Sequence, residues 1–397
     1  MLHSLLTLIA LIACLIQLCY AVFFALSKRR DNSNINAIKI PTSVIICAKN
    51  EAINLQQFLP FVLAQDYPQE LFEVIVVNDQ STDDTAEVLM KFAAQYPNLK
   101  IITITKEIVK TLPGKKYALS KGIAAAKFEH LLLTDADCKP ASNQWLSLIN
   151  SKVKSQKSKL VLGYGAYEDH PGILNKFIRW ETAHTCMQYT SYATAGLPYM
   201  GVGRNLAYSK SLLQGLESDV AFQEIYTNTP SGDDDLLICK IATKDNVAVC
   251  LNKEAHTISV PQKTWATWWK QKTRHMSTGK YYPQKVKSLL ALYALSHCLY
   301  WFVGLFLVVM AFATKPDSPF SLWEIDCVVK MPNYLTRLII LLFFIRLFVY
   351  WLNAAHWYKA LNEKKLLLFY PLGDLGWALY NVFLSPYIFW KNRQAWK

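Results

Sequence analysis

The stretch "LLLTDADCKP", residues 131–140, places an uncharged run before two carboxylates, Asp135 and Asp137, which only Ala136 separates. The apolar run is typical of a buried strand, so both acids lie where that strand ends. Two like charges this close repel each other unless a proton or a cation lies between them. Magnesium or manganese, held by carboxylates, completes its shell with water and phosphate oxygens. The stretch therefore predicts a metal site that holds a diphosphate, and a solvated turn that caps a helix is the alternative.

The surrounding sequence predicts the sheet to which this strand belongs. Four short apolar runs read as strands: "SVIICA" (43–48), "FEVIVVND" (72–79), "LKIITIT" (99–105) and "HLLLTDAD" (130–137). Residues 51–64, 83–95 and 115–127 read as helices between them. Such alternation, with unbroken apolar strands, predicts a parallel α/β sheet covered on both faces.

Polar residues follow three of these strands. The segments are "AKNE" after the first strand, "NDQSTDDT" after the second and "TDAD" after the fourth. In open parallel sheets, ligands bind beyond the carboxyl ends of the strands. We therefore expect these three segments to converge on one ligand site.

Both ends of the chain are apolar enough to meet lipid. Of the 397 residues 52% are hydrophobic, and residues 4–26 carry no charge, which suits a transmembrane helix of about 20 residues. Without a basic leader or a cleavage site, this segment reads as a retained anchor. Three further apolar segments occupy about 288–313, 336–355 and 366–390, the last interrupted by "PLGDLG". The predicted domains are an anchor (1–27), a cytoplasmic domain with interfacial helices (28–286) and a C-terminal membrane region (287–397).

The basic residues indicate orientation and partners. Because Lys28, Arg29 and Arg30 follow the anchor, the positive-inside rule places the central domain in the cytoplasm of a multi-pass cell-membrane protein. If all three C-terminal segments crossed, the basic end "WKNRQAWK" would fall outside. The "PLGDLG" segment could instead be re-entrant or interfacial, or one long segment could be split. The net charge is +13, and many of the positive residues lie beside the apolar segments, which favours lipid headgroups over nucleic acid as partners.

Several motifs in order resemble a membrane-anchored family 2 glycosyltransferase with a GT-A domain, which is a Rossmann-like nucleotide-sugar-binding fold. The matching segments are "ICAKNEAINL" (46–55), "FEVIVVNDQSTDDT" (72–85), "GKKYALSKGI" (114–123), "LLLTDADCKP" (131–140), "GVGRNLAYSK" (201–210), "SGDDDLLICKIA" (231–242) and "QKTRH" (271–275). They cover about residues 42–275.

The resemblance implies roles for individual residues around a nucleotide-sugar donor. The loops with Ala48, Asn50 and Glu51 and with Asp79 would line the nucleotide pocket, Asp79 accepting a hydrogen bond from the base. Lys115 would lie near the phosphates. Asp135 and Asp137 would form the DxD motif, with Asp137 as the direct metal ligand. Gly203, Arg204 and Asn205 would lie near donor and acceptor.

The acidic run "GDDDLLICKI" resembles the family's catalytic motif. In that motif an acidic pair is followed by two residues, then by a leucine, and three residues later by a basic residue. Leu237 and Lys240 fit this pattern when Asp233 and Asp234 form the acidic pair, which makes Asp234 the base. Setting Leu236 as the leucine would move the role to Asp233. A charged helix N-terminus is the alternative for the whole run.

"QKTRH" resembles the family's QxxRW motif, with His275 where tryptophan is usual. Gln271 and Arg274, three residues apart on one helix face, would both reach the diphosphate. The smaller ring of His275 makes a poorer platform for the acceptor. Trp265, Trp268 and Trp269, just before this motif, read as membrane-interface anchors.

The resemblance implies an inverting hexosyltransferase of the cell envelope that uses a divalent metal, Mg or Mn, and a UDP-sugar donor. Its acceptor would be lipid-linked or membrane-associated. A processive polysaccharide synthase is the alternative, and a non-catalytic nucleotide-sugar-binding scaffold is a third reading. About four membrane segments leave little material for a polysaccharide channel.

Overall fold

The computed structural model describes residues 2–27, 39–155, 158–313 and 333–388. The strands are β1 (Thr42–Ala48), β2 (Phe72–Asp79), β3 (Leu99–Ile104), β4 (His130–Asp135), β5 (Cys138–Pro140), β6 (Leu160–Leu162), β7 (Gly165–Tyr167), β8 (Leu206–Ser209), β9 (Val247–Val249) and β10 (Thr257–Ser259). The helices of the central part are α2 (Ala52–Leu63), α3 (Thr85–Ala93), α4 (Lys116–Ala125), α5 (Trp145–Ser155), α6 (Ile173–Thr194), α7 (Val220–Asn228), α8 (Asp235–Ile241) and α9 (Trp265–Met276). The apolar ends form α1 (Leu2–Ser27), α10 (Gln284–Leu299), α11 (Leu305–Ala313), α12 (Asn333–Ala360) and α13 (Tyr370–Leu384).

A seven-stranded sheet in the order β3-β2-β1-β4-β8-β6-β9 forms the centre of the domain. Strands β1 to β4 pair in parallel, which confirms the predicted parallel sheet for these four strands. Strand β8 runs antiparallel to both β4 and β6, so the complete sheet is mixed rather than parallel. The strands that the sequence did not indicate are three or four residues long, too short to show a periodic pattern.

Apolar residues of β1 and β2 build a core on each face of the sheet. Alternate side chains of β1 point to opposite faces: Val44 and Ile46 belong to the cluster under α2, and Ile45 to the cluster under α4. A Cβ at Gly122 of α4 would lie 2.7 Å from Ile45 Cγ2, so this glycine allows the helix to lie close against the strands. The two covered faces are those expected of an α/β domain.

Within the described residues, three helical segments are long and apolar enough to cross a bilayer: Ser4–Ser27, Gln284–Met310 and Arg337–Ala360. The second consists of α10, a π-helical turn at Tyr300–Gly304 and most of α11. Helix α13 has 15 residues, fewer than the about 20 needed to span. The basic cluster at 28–30 and the basic end at 391–397 lie outside the described residues.

Helix α6 connects the sheet domain to the apolar helices. The helix is buried along most of its length. Tyr192 packs against Phe23 of α1, and His184 stacks against Tyr293 of α10. Because one helix contacts both parts, the domain and the apolar helices share a continuous core.

The tryptophans before "QKTRH" differ in their surroundings. Trp265 and Trp269 are 49% and 36% exposed, as membrane anchors require, whereas Trp268 is only 4% exposed. Trp268 packs against Phe177 of α6 and Tyr380 of α13. The interface interpretation was therefore wrong for Trp268, which instead fixes α9 to its neighbours.

The "PLGDLG" segment begins α13, and its two glycines face α6. A Cβ at Gly373 would lie 2.6 Å from the Trp180 ring, and a Cβ at Gly376 would lie 2.8 Å from Phe177. Each glycine thus permits a close helix contact that a larger residue would prevent. The segment that interrupts the apolar pattern is the surface by which α13 docks.

Asp374, between those glycines, is the centre of a fully buried polar cluster. Its carboxylate pairs with Arg346 of α12 and accepts hydrogen bonds from Trp301 Nε1 at 3.0 Å and Tyr370 OH at 2.9 Å. His297 Nε2 of α10 lies 3.2 Å from the same carboxylate. Arg346 also donates to Gln17 Oε1 of α1 at 2.7 Å. We call these six residues the polar hub, which joins α1, α10, α12 and α13.

We expect Asp374→Ala to lower the free energy of unfolding in detergent micelles by about 3–5 kcal/mol, because it leaves the Arg346 charge buried without its carboxylate. Leu372→Ala, at a site 61% exposed, is the matched control and should change stability little. The double variant Asp374→Leu with Arg346→Met removes both charges and should recover most of the loss. An Asp374→Ala protein as stable as the control would contradict a supporting role for the hub.

Candidate active site

A cavity of about 1510 Å³ opens at the carboxyl ends of β1 and β4 and continues toward α10 and α13. Most of the residues predicted from the sequence line it. These are Glu51, Lys115, Asp135, Asp137, Gly203, Arg204, Asp233, Asp234, Gln271, Arg274 and His275. Segments far apart in the chain therefore meet at the edge of the sheet where ligands were expected.

Asn205 does not reach the cavity, which corrects its predicted place beside donor and acceptor. Its side chain is completely buried and accepts from Trp145 Nε1 at 3.0 Å. Its amide nitrogen donates to the carbonyl oxygens of Tyr164 and Ala255, at 3.0 and 2.8 Å. With its amide used in this way, Asn205 supports the loop that carries Gly203 and Arg204.

Ala48, Asn50 and Asp79 lie beside the cavity but do not line it. Asn50 adopts a positive φ of 56°, and its Oδ1 accepts from the backbone nitrogen of Thr82 at 2.8 Å. Asp79 is fully buried, and Lys110 Nζ donates to its Oδ2 at 2.8 Å. The loops after β1 and β2 are thus held together, and nucleotide binding by these three residues stays a prediction.

Lys115 lies between two of the acidic segments. Its Nζ donates to Asp135 Oδ1 and lies 3.8 Å from Asp233 Oδ2. Burial disfavours its charge, but the two carboxylates outweigh that effect and raise the pKa of Lys115 well above its usual value. This lysine, which directly precedes α4, is therefore a fixed cation within the site.

The DxD residues form a donor set that suits a hard divalent cation. Ligand atoms of Asp135, Asp137 and Cys138 all lie within 4.8 Å of one another. Burial and the adjacent carboxylates raise the pKa of the Cys138 thiol well above its usual value, so the sulfur stays protonated and is a poor ligand. The two carboxylates remain, and carboxylate oxygens suit magnesium or manganese.

The three adjacent aspartates point to different surroundings. Asp234 Oδ2 accepts from the Gly203 backbone nitrogen at 2.8 Å, and a Cβ at Gly203 would come within 3.4 Å of that oxygen. Asp235 is buried and accepts from Thr278 Oγ1 and Tyr282 OH, both at 3.1 Å. Asp235 is thus held by two hydroxyls, while Asp233 faces Lys115 and Asp234 faces the glycine loop.

Burial and the neighbouring charge of Asp233 raise the pKa of Asp234 to about 6. The backbone N–H groups of Gly203 and Asp235 and the charge of Lys115 act in the opposite direction. A carboxylate with this pKa is ionised at neutral pH yet more basic than an ordinary aspartate. Asp234 therefore suits a proton acceptor.

The "QKTRH" segment lies on α9, and its predicted residues all face the cavity. Burial and the nearby cations Arg274, Lys272 and Arg204 lower the pKa of His275 well below its usual value. His275 is therefore neutral at physiological pH. Arg204 lies over the Tyr167 ring, 4.2 Å from its centroid. Two arginines from different elements, Arg204 and Arg274, thus bring positive charge to a site rich in carboxylates.

Helix α6 contributes residues that the sequence analysis did not identify. Thr182, Thr185 and Gln188 line the cavity, as does Glu181, which pairs with Lys272 of α9. Thr185 Oγ1 donates to Glu181 Oε1 at 3.2 Å. Their spacing matches one helical face, but the apolar residues distributed around the rest of α6 conceal that pattern in the sequence.

Comparison with known proteins agrees with this geometry. Residues 43–216 match the family model described as Glycosyl transferase family 2. The chain contains a family 2 glycosyltransferase domain with the GT-A fold. A mannosyltransferase from Pyrobaculum calidifontis, solved with GDP-Man and Mn²⁺, is similar to the whole chain with a TM-score of 0.55 at 17% identity. That likeness covers 95% of this chain and 99% of the mannosyltransferase, and at this identity it shows the fold alone.

Two curated relatives are each similar to part of this chain. The probable glycosyltransferase YdaM of Bacillus subtilis is 26% identical over 247 residues, which cover 60% of this chain and 55% of YdaM. The poly-β-1,6-N-acetyl-D-glucosamine synthase of Staphylococcus epidermidis is 30% identical over 134 residues, 34% of this chain and 31% of the synthase. The chain thus spans about half or less of the relatives that it matches.

The pKa of Asp234 predicts how proton transfer to this carboxylate depends on pH. A protonated carboxyl cannot accept a proton, so kcat/KM for donor turnover should fall as the pH drops through about 6. Asp233→Asn removes a negative neighbour, so the pKa of Asp234 should fall and the acidic limb should move to lower pH. Glu87→Gln, at a carboxylate 61% exposed, should leave the profile unchanged. An identical acidic limb in Asp233→Asn would contradict the coupling.

Proposed function

We propose that this protein is an inverting glycosyltransferase that moves a sugar from a nucleotide-diphosphate donor to a hydroxyl of a membrane-associated acceptor. The observation that carries this proposal is the position of Asp234 in the same cavity as the DxD carboxylates, with Arg204 and Arg274 nearby. A proton acceptor and a diphosphate-binding region in one cavity are what direct sugar transfer requires. UDP is the nucleotide that we propose, from the family resemblance.

In this proposal the reaction takes one step. Asp234 takes the proton of the acceptor hydroxyl while its oxygen bonds to the anomeric carbon from the face opposite the leaving group. The carbon–oxygen bond to the diphosphate breaks, and the electron pair leaves with the nucleotide diphosphate. Lys115, Arg204 and Arg274 would contact the diphosphate and oppose its growing charge.

Asp135 and Asp137 would hold magnesium or manganese, with Asp137 as the direct ligand. Bound there, the ion would neutralise negative charge on the diphosphate. Glu51 and the loops with Ala48, Asn50 and Asp79 would bind the nucleoside, and Gly203 and His275 would lie toward the acceptor. Gln271, which shares a face of α9 with Arg274, would lie near the phosphates.

A processive polysaccharide synthase is the second candidate, favoured by the Staphylococcus relative and by the QxxRW-like segment. A non-catalytic nucleotide-sugar-binding scaffold is a third candidate. The complete set of Asp135, Asp137 and Asp234 in one cavity argues against it. The length of the sugar product separates the first two, and an absence of any donor turnover would support the third.

Asp234→Asn should reduce sugar transfer by about 100-fold or more, because it keeps the shape of the side chain and removes its proton-accepting charge. Donor binding with Mn²⁺, measured by calorimetry, should be preserved. Asp137→Ala should instead weaken metal-dependent donor binding, which separates the two proposed roles.

Comparing Asp233→Asn with Asp234→Asn decides which of the two aspartates is the base. Greater damage to transfer in Asp233→Asn than in Asp234→Asn would move the base to Asp233. Near-normal transfer in both variants, with donor binding intact, would reject this acidic run as the catalytic site.

The catalytic domain lies on the cytoplasmic face in our proposal. Three crossings by the apolar segments would return the chain after Ala360 to the side of the domain, and α13 contacts both α6 and α9 of that domain. The basic end of the chain would then share that side with the basic residues 28–30, which removes the conflict with the positive-inside rule.

Cysteine labelling tests this orientation. In a variant without native cysteines, Gln95→Cys should stay unmodified by a membrane-impermeant maleimide on intact cells, because residue 95 lies on the domain. Ser318→Cys, in the segment between the second and third apolar helices, should react. The opposite pattern would place the domain outside the cell.

A further inference from the structure

Asp234 and the helix that carries Arg274 have to keep a fixed separation. In the proposed reaction the acceptor oxygen attacks one face of the anomeric carbon, and the diphosphate leaves from the other. The base and the groups that contact the diphosphate therefore lie on opposite sides of the sugar, where a misplacement of about 1 Å can lower the rate about 100-fold. Asp234 directly precedes α8 and Arg274 lies near the end of α9, so contacts between these elements decide the separation.

Two backbone N–H groups orient the Asp234 carboxylate. Gly203 N donates to its Oδ2 and Asp235 N donates to its Oδ1, both at 2.8 Å. One donor belongs to the glycine loop, and the other belongs to the first residue of α8. The direction in which Asp234 points thus depends on what holds these two segments in place.

The side chain of Asp235 joins α8 to the segment that follows α9. It is 7% exposed, and its Oδ2 accepts from Tyr282 OH and from Thr278 Oγ1, both at 3.1 Å. Thr278 Oγ1 also lies 2.9 Å from the carbonyl oxygen of His275, so its single proton is divided between two acceptors. Asp235 therefore depends mainly on the hydroxyl of Tyr282.

The ring of Tyr282 contacts the other segment. It packs against Tyr199, with 5.1 Å between the ring centroids and 64° between the ring planes. Tyr199 is buried and precedes the glycine loop, and its carbonyl oxygen accepts from Cys239 Sγ of α8 at 2.9 Å. One tyrosine thus contacts both segments that donate to Asp234, one through its hydroxyl and the other through its ring.

Close packing joins the acidic run to the end of α9. Gly232 adopts a positive φ of 78°, and a Cβ there would lie 2.6 Å from Thr278 Cγ2. Ser231 Oγ donates to the carbonyl oxygen of Arg274 at 3.1 Å. The start of α8 therefore lies directly against the segment that carries Arg274.

We propose that Tyr282 is a positioning residue, which acts through Asp235 to fix the direction of the Asp234 carboxylate relative to α9. We call Asp235, Thr278 and Tyr282 the base clasp. This inference rests on the proposed function and adds the device that holds its base in place. Tyr282 lies beyond the last sequence motif, which ends at His275, and its role depends only on its contacts in the fold.

Hydrogen exchange tests the base clasp without any donor. Tyr282→Phe keeps the ring and removes the hydroxyl, so the amides of Gly203 and Asp235 should exchange about 10-fold faster in detergent micelles. Mass spectrometry with electron-transfer fragmentation measures each amide. Tyr281→Phe is the matched control, because the Tyr281 hydroxyl lies 3.5 Å from Thr229 and its ring does not line the cavity.

Strand β1 serves as the internal reference for this experiment, and its exchange should not change. Unchanged exchange at Gly203 and Asp235 would overturn the proposal. Equally faster exchange in β1 would do the same, because it would show a general loosening of the domain. Asp235→Leu removes the acceptor of the same hydrogen bonds and is the second variant, with the same expected result.

Transfer kinetics then separate positioning from substrate contact. Tyr282→Phe should lower kcat by about 10- to 100-fold, while donor affinity with Mn²⁺ stays unchanged. Asp235→Asn keeps an oxygen that accepts from Tyr282 and should retain most of the rate, whereas Asp235→Leu should lose as much as Tyr282→Phe. Full activity of both Tyr282→Phe and Asp235→Leu would contradict a positioning role.

A double variant shows whether Tyr282 acts through Asp234. In the Asp234→Asn protein, Tyr282→Phe should cause little further loss, because both changes remove the same function. Two losses that multiply would show that Tyr282 acts independently of the base, which would overturn the proposal. Normal transfer by Asp234→Asn would instead reject the proposed base, while hydrogen exchange would still decide whether the clasp holds Asp234.

The pH profile gives a readout that a purely structural role would not change. The N–H groups of Gly203 and Asp235 lower the pKa of Asp234. Tyr282→Phe should loosen these hydrogen bonds and raise that pKa, so the acidic limb of kcat/KM should move to higher pH. An acidic limb that stays in place or moves to lower pH would overturn the proposal.

No other charge near the base should change in this experiment. The loss of a donating hydroxyl raises the pKa of the buried Asp235 carboxyl further, so Tyr282→Phe adds no negative charge beside Asp234. The titratable groups that interact with Asp234 are Asp233, Asp235, Lys115, Lys116 and Tyr226. Tyr281→Phe, measured in the same buffers, should reproduce the profile of the unsubstituted protein, and a shift in that control equal to the shift in Tyr282→Phe would overturn the proposal.

Discussion

The ion pair between Lys115 and Asp135, with Asp233 close by, offsets the repulsion between the carboxylates that line the cavity. Five carboxylates, from Asp135, Asp137 and the run Asp233 to Asp235, meet at one edge of the sheet, and their mutual repulsion would otherwise force the segments apart. The ammonium of Lys115 contacts the end of β4 on one side and faces the start of α8 on the other. One short motif, "PGKK", thus holds together two acidic segments that come from distant parts of the chain.

The sequence was sufficient for the half of the fold in which each strand is an unbroken apolar run followed by polar residues. Strands β1 to β4 and the helices between them are of this kind, and their ends brought together Glu51, Asp135 and Lys115 as expected. Strands β6, β8 and β9 pair because neighbouring segments hold them in place, and three or four residues carry no period of their own. Asn205 shows the same limit within a motif, because only the packing around Trp145 and Tyr164 decides that its amide turns inward.

The part of the cavity that α6, α10 and α13 line could not be predicted, because it depends on how these helices pack. The "PLGDLG" segment looked like an interruption of an apolar run, yet its glycines admit Trp180 and Phe177, and its aspartate completes a cluster with Arg346 and His297. Each of these features matters only together with its partner on another helix. A single sequence does not reveal such pairs, whereas it does reveal a motif whose residues lie close together in the chain.

The polar hub also bears on the barrier function of the membrane. A large cavity lined by charged groups and set partly between apolar helices would, if it continued to the far side, let protons and small ions leak and would dissipate the potential across the bilayer. At the depth of the hub, the ring stacking of Tyr300 on Phe343 and the guanidinium of Arg346 over Tyr300 and Tyr350 fill the space between the helices. Arg346 and Asp374 are paired, and no residue of the polar hub lines the cavity. If these helices cross a bilayer, the hub would therefore act as a seal that keeps the cavity from becoming a pore.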